Sequence, residues 1–248
     1  MKLVGERRAL ASIVMAFYFL YYLVMFLLLR GEPQARMFAA LGGVYGLAFF
    51  ALVAGYFWAR WYAVGVGLFG VIVAVVGLWQ TRGDEDLFRM VLPILLFVGG
   101  THLAATLMLW GNAMSQPYDG QTAWRERFHM DDNAVQRLGR AVIRAGLSLP
   151  FVLLYALTPK QDVGSILAAM VAVTLTGLGI RGLVRLKTWG VLALGAAGVL
   201  LTTLAGVDLI SGAADVERVA RPAFAGALLL TAALPFAAPI ARWVAPVR

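Results

Sequence analysis

Eight apolar runs, at about 9–29, 37–55, 62–80, 87–110, 141–158, 163–180, 189–207 and 222–241, alternate with short polar segments along the chain. Each comes close to the roughly 20 residues a helix needs to cross a hydrocarbon core of about 30 Å. The runs are continuous rather than alternating, so a closed barrel is excluded. The pattern predicts an all-α, polytopic transmembrane helical bundle of about eight helices, forming a single integral membrane domain over 1–248. The fifth and sixth runs are short and separated only by Thr158-Pro159-Lys160-Gln161-Asp162. There Pro stops one helix and Asp can cap the next. The first run follows Lys2, Arg7 and Arg8 like the apolar part of a signal peptide. It is too long for one and ends in Leu27-Leu28-Leu29-Arg30-Gly31 with no small-x-small cleavage site, so a retained first helix is expected and no large translocated domain.

Placing the charges on this scaffold gives an orientation. With the N-terminus inside, 14 of the 21 Lys and Arg fall on one side, and the other side collects seven together with eight of the 13 acids, including Asp84-Glu85-Asp86. The positive-inside rule then puts both termini in the cytoplasm. The longest hydrophilic stretch, about 111–140, becomes a cytoplasmic loop too small for a catalytic domain. Its second part, capped by Asp131 or Asp132, sets Asn133, Arg137, Arg140 and Arg144 on one helical face and Val135, Leu138, Val142 and Ala145 on another. Such a helix can lie at the headgroup boundary before turning into the fifth span. Arg137, Arg140 and Arg144 are therefore candidates for contact with anionic headgroups or a partner protein. Arg144, one turn inside the span, is expected to snorkel to the interface.

Internal repetition is visible at an offset of 128, pairing Trp61 with Trp189, Gly67 with Gly195, Gly70 with Gly198 and Val71 with Val199. Asp86, Arg89 and Pro93 match Asp215, Arg218 and Pro222 if one residue is inserted. A four-helix unit used twice, in halves 1–115 and 131–248, accounts for these matches, as do chance coincidences among 27 glycines.

Composition agrees with the membrane reading: 61% of residues are apolar and 14% charged, against about 45–50% and about 25% in soluble domains. The net charge of +8 does not point to nucleic acid, because the cations are spread between apolar runs as orientation signals. Cysteine is absent, which removes disulfides, thiolate metal sites and a Cys nucleophile.

Intramembrane ionisable groups are costly, roughly 2.5–3.5 kcal/mol at a helix centre, and mark function by default. His102, beside Thr101 in Val98-Gly99-Gly100-Thr101-His102-Leu103, is the clearest. It can relay a proton or bond a solute; the simpler reading is a packing residue donating to a carbonyl or Thr of a neighbouring helix. Asp208, the second candidate, falls near the outer end of the seventh run, some 20 Å from His102 in depth at 1.5 Å per residue, so no direct pair is expected. With two histidines and no Lys at mid-span, haem, zinc and retinal sites lack ligands. No Ser sits in a nucleophile elbow. No cofactor, metal or catalytic residue is therefore expected.

Pro93, Pro150, Pro235 and Pro239 interrupt helices and can free carbonyls for a substrate. The spacings Gly42-Gly43-x-x-Gly46 and Gly195-x-x-Gly198 read first as helix packing. Trp58, Trp61, Tyr62, Trp79, Trp110 and Trp189 lie at predicted helix ends, as an interfacial belt does. Two functional expectations follow. One is a transport, channel or lipid-handling protein for an uncharged or amphiphilic substrate, since buried acids for ion coupling are scarce. The alternative is a non-catalytic accessory or scaffold subunit that binds partner membrane proteins through Gly-rich faces. A multi-pass location in the cell membrane, by default a bacterial inner membrane, goes with either, and lipids are the expected partners.

Overall fold

The computed structural model describes residues 2–111, 114, 132–160, 162–210 and 216–244, with the side chains of 2–4, 216–217 and 238–244 excepted. Among these residues there is no strand, and eight long helices run α1 (Lys2–Leu28), α2 (Ala35–Ala54), α3 (Ala59–Thr81), α4 (Glu85–Leu109), α5 (Asp132–Leu157), α6 (Val163–Val184), α7 (Thr188–Ile210) and α8 (Val216–Val244). All eight contain a stretch long and apolar enough to cross a membrane, so the chain is that of a multi-pass integral membrane protein.

The helices fall into two compact units, Met1–His129 and Met130–Arg248. In the first, α1 packs on α2 and α4, and α3 packs on the same two, closing a ring of four. The second repeats that pattern, with α5 and α7 each packing on α6 and α8. Short connections make neighbours in each ring antiparallel.

Local chemistry sets the helix ends. Asp84 accepts a hydrogen bond from the Leu87 amide (3.0 Å) and precedes Glu85 and Asp86, whose charges favour the positive end of the α4 dipole. The Asp162 carboxylate accepts the Ser165 amide (2.8 Å) and hydroxyl (2.6 Å), opening α6. Gly55, at φ +76°, ends α2 by sending its amide back to Leu52 and Ala51. Between α6 and α7, Leu186 takes φ +56° so that the Lys187 amide can close on the Gly182 carbonyl (2.9 Å). This tight return presses Gly182 against Gly190, where a Cβ on either would strike the other's backbone. Lipid tails give helices no hydrophobic reason to associate, and close backbone approach of this kind supplies dispersion contacts instead.

Two sequence expectations change. The amphipathic stretch before the fifth span is no separate interfacial helix: α5 is continuous from Asp132, and its apolar residues Val135, Leu138, Val142 and Ala145 are buried against protein. Small neighbours, Gly139 and Ala141, let that face seat on other helices, which buries it better than headgroups would. Arg137 and Arg140 are exposed on the opposite face, while Asp131 and His129 lie outside the described residues. The aromatic belt also loses two members: Trp61 and Tyr62 are buried, whereas Trp79, Trp110 and Trp189 are exposed at helix ends. Tyr62 turns inward at the head of a buried stretch, Ala63-Val64-Gly65-Val66-Gly67, and its hydroxyl reaches the Val44 carbonyl of α2 at 3.4 Å.

Candidate functional site

His102 lies in α4 with 1% of its surface exposed, facing the inside of the first ring. Space for it comes from α3: a Cβ on Gly70 would overlap the imidazole, and one on Gly67 would overlap the Thr106 hydroxyl a turn along. Its Nδ1 is 2.7 Å from the Val98 carbonyl. A carbonyl only accepts, so Nδ1 carries the proton and Nε2 presents a lone pair. The Tyr45 hydroxyl of α2 donates to that lone pair at 2.6 Å.

The remaining helix, α1, contributes Tyr18. Its ring lies over the imidazole at a centroid distance of 4.1 Å. Its hydroxyl meets Thr101 Oγ1 at 2.7 Å, and Thr101 in turn donates to the Phe97 carbonyl at 2.7 Å, so Tyr18 is the donor to Thr101. Tyr22 continues the aromatic stack to Tyr45 at 5.3 Å. Every helix of the first unit thus meets at a hydrogen-bonded node of a neutral imidazole, two phenols and a threonine. One polar atom stands outside this pairing: Thr106 Oγ1 is buried against Gly67 and has no hydrogen-bond partner. Leaving a buried hydroxyl unmet costs about 1–3 kcal/mol.

The second unit repeats the packing without the node. Gly198 of α7 meets Leu230 of α8, as Gly70 of α3 meets His102 of α4, and both members of the pair are displaced by the same 128 residues. Gly226 against Thr202 likewise follows Gly99 against Ala74 to within one residue. The Gly195-x-x-Gly198 spacing therefore does pack helices at Gly198, and Gly46 of the first unit packs on Phe19. At the position of His102 the second unit carries leucine.

Arginines near the starts of the first helices make the other notable contacts. Arg7 donates from Nη2 to the Leu107 (2.9 Å) and Trp110 (3.1 Å) carbonyls at the end of α4. Arg8 donates from Nε (2.7 Å) and Nη2 to Leu52, and from Nη2 to Val53 (3.1 Å), at the end of α2. Both place a cation on the negative end of a helix dipole. Arg144 does not snorkel: its Nη1 donates to the Thr231 carbonyl of α8 at 2.5 Å. The reason is Pro235, four residues on, which has no amide to fill that carbonyl and so leaves an acceptor within the span.

These two arginines share a pattern, Arg8-Ala-Leu-Ala-Ser12 in α1 and Arg144-Ala-Gly-Leu-Ser148 in α5, with both serines buried. Beside Arg8 a groove of about 530 Å³ opens between α1 and α2. Asp208 lies in the second unit, 3.9 Å from Arg218 Nε, close to the end where Lys160 sits over the Tyr155 ring. Burial, and then the charge of Arg218, push the Lys160 ammonium below its usual range.

Sequence reasoning singled out His102 and Thr101, and the structure brings them to one node. It missed Tyr18 and Tyr45, although each falls in mid-span, away from the interface where a phenol hydroxyl finds water. It also missed the shared Arg-Ala-x-x-Ser pattern, legible as a repeat at a different offset from the one found. Compared with known proteins, the chain matches no family model, no curated protein and no solved structure.

Proposed function

We propose that this protein moves or handles an uncharged or amphiphilic substrate within the membrane, using two copies of a four-helix unit of which the first carries the polar site. The observation that carries the reading is the difference between equivalent positions. If packing against a glycine were all that His102 did, leucine would serve, as Leu230 does against Gly198. The first unit instead keeps a costly imidazole, two buried phenols directed at it and at Thr101, and an unmet hydroxyl at Thr106. Groups of this kind offer hydrogen bonds without formal charge, which suits a neutral polar group better than an ion. The repeated ring of contacts and the common displacement of 128 residues support duplication of an ancestral unit. The 14-to-7 partition of basic residues favours both termini in the cytoplasm.

Reconstitution into liposomes tests this. Wild type is expected to accelerate scrambling of a labelled lipid or flux of an uncharged solute over protein-free vesicles, and His102→Ala to lower that rate at least fivefold. Rates at the protein-free level for every substrate, with a membrane protein co-purifying in fixed ratio in mild detergent, would favour a scaffold subunit instead.

A further inference from the structure

Arg144 is a cation held between two spans, far from the ends of both. It lies in the middle of α5, and the Thr231 carbonyl that receives its Nη1 is on α8, about 20 Å from Arg218 and about 16 Å from Arg242 at 1.5 Å per residue. Lipid phosphates, at the two faces of a core about 30 Å thick, are remote from that depth. The carbonyl satisfies one N–H without cancelling the charge, and an uncompensated cation within a span is costly. Its Nε and Nη2 bond to no described residue, and among the described residues no carboxylate pairs with it. The matching Arg8 of the first unit spends Nε and Nη2 on the Leu52 and Val53 carbonyls. Arg144 thus keeps open the edge of the fork that grips a carboxylate by two parallel hydrogen bonds.

The surface beside the guanidinium suits a helix. Phe224, Ala227, Thr231 and Leu234 recur at intervals of three and four along α8, and all four are exposed. The large members stand at the ends of this stripe, and the small ones between them leave room for close approach next to Arg144. We propose that this α5–α8 seam docks a membrane-spanning helix of a partner protein, one that carries an Asp or Glu at mid-span for Arg144. The carboxylate supplies the compensating charge that the Thr231 carbonyl lacks, and the exposed stripe supplies the packing. Docking here is independent of substrate movement by the first unit.

A synthetic Leu-rich peptide long enough to span the bilayer serves as the probe, in two forms that differ only in Asp or Leu at mid-span. Purified protein and peptide are mixed in phosphatidylcholine liposomes, with and without phosphatidylglycerol, and association is read by energy transfer between a dye on each. Wild type is expected to bind the Asp peptide at least fivefold more tightly than the Leu peptide, whichever lipid is present. Because Arg144 also fills the Thr231 carbonyl, its removal is compared in a Pro235→Ala background, where the chain gives that carbonyl an amide. Pro235→Ala should keep the preference, and Pro235→Ala with Arg144→Ala should lose it. Ala227→Phe leaves the cation in place and fills the stripe, and should cut binding of the Asp peptide by a similar factor. Equal binding of the two peptides by wild type, or Asp-peptide binding unchanged both in the double variant and in Ala227→Phe, would overturn the site. So would a preference that disappears when phosphatidylglycerol is added, because the guanidinium would then belong to a lipid phosphate.

Discussion

At single residues, glycine matters to the first ring as much as histidine does. Gly70 has no special backbone conformation to serve; what it provides is the absence of a Cβ where the His102 ring lies. Gly70→Ala is expected to cost about 1–3 kcal/mol by overpacking, and to displace the imidazole from Tyr45. Combining it with His102→Ala should recover most of that loss. Thermal melts of the two single variants and the double variant decide the matter: additive losses would show that glycine and histidine do not compete for the same space. His102 stood out in the sequence because an ionisable residue in an apolar run is conspicuous, and the structure buries it inside the first ring. Its partners were harder to pick out, because Tyr18 and Tyr45 sit among other aromatics and a mid-span position alone does not say which ones turn inward.

Among the helices, ends and breaks account for most of the polar chemistry. The Ser165 hydroxyl, and then its amide, stabilise the Asp162 carboxylate and hold it below the usual range of 3.8. A lowered carboxylate adds stability above its unfolded value and loses it as pH falls through the folded one. Acidification below about pH 4 should therefore release the first turn of α6, seen as faster hydrogen exchange at the Ser165 amide, once the intrinsic pH dependence of exchange is corrected for. Exchange that stays slow to pH 2 would contradict the cap.

Arg144 and Pro235 give a second test at this scale. Removing the guanidinium leaves the Thr231 carbonyl unmet, so Arg144→Ala should cost about 1–3 kcal/mol. Pro235→Ala returns an amide to that carbonyl, and in its background the cost should fall by at least half. Equal costs in both backgrounds would mean that the arginine answers to something other than the break. Apolar runs located all eight spans, yet α5 begins at Asp132 and not near 141, because hydropathy reads the charged face of Arg137 and Arg140 while the buried face of Val135 and Leu138 fixes where the helix starts.

Taken whole, the chain is a pair of four-helix rings that share a packing register and differ in what fills it. The matches between the third and seventh runs were visible because Trp and Gly recur at fixed spacing. The contrast on which the proposed function rests was not, since it lies in the partner helices, where His102 and Leu230 resemble one another in nothing but position. That contrast supplies its own control. His102→Leu places in the first unit the residue that the second unit already accommodates, so the fold should survive the change. The most direct test is to measure melting temperature and substrate flux together for this variant in liposomes. A melting temperature within a few degrees of wild type is expected, with flux reduced to the protein-free rate. Wild-type flux from a stably folded His102→Leu protein would contradict it, and would return His102 to the role of a packing residue.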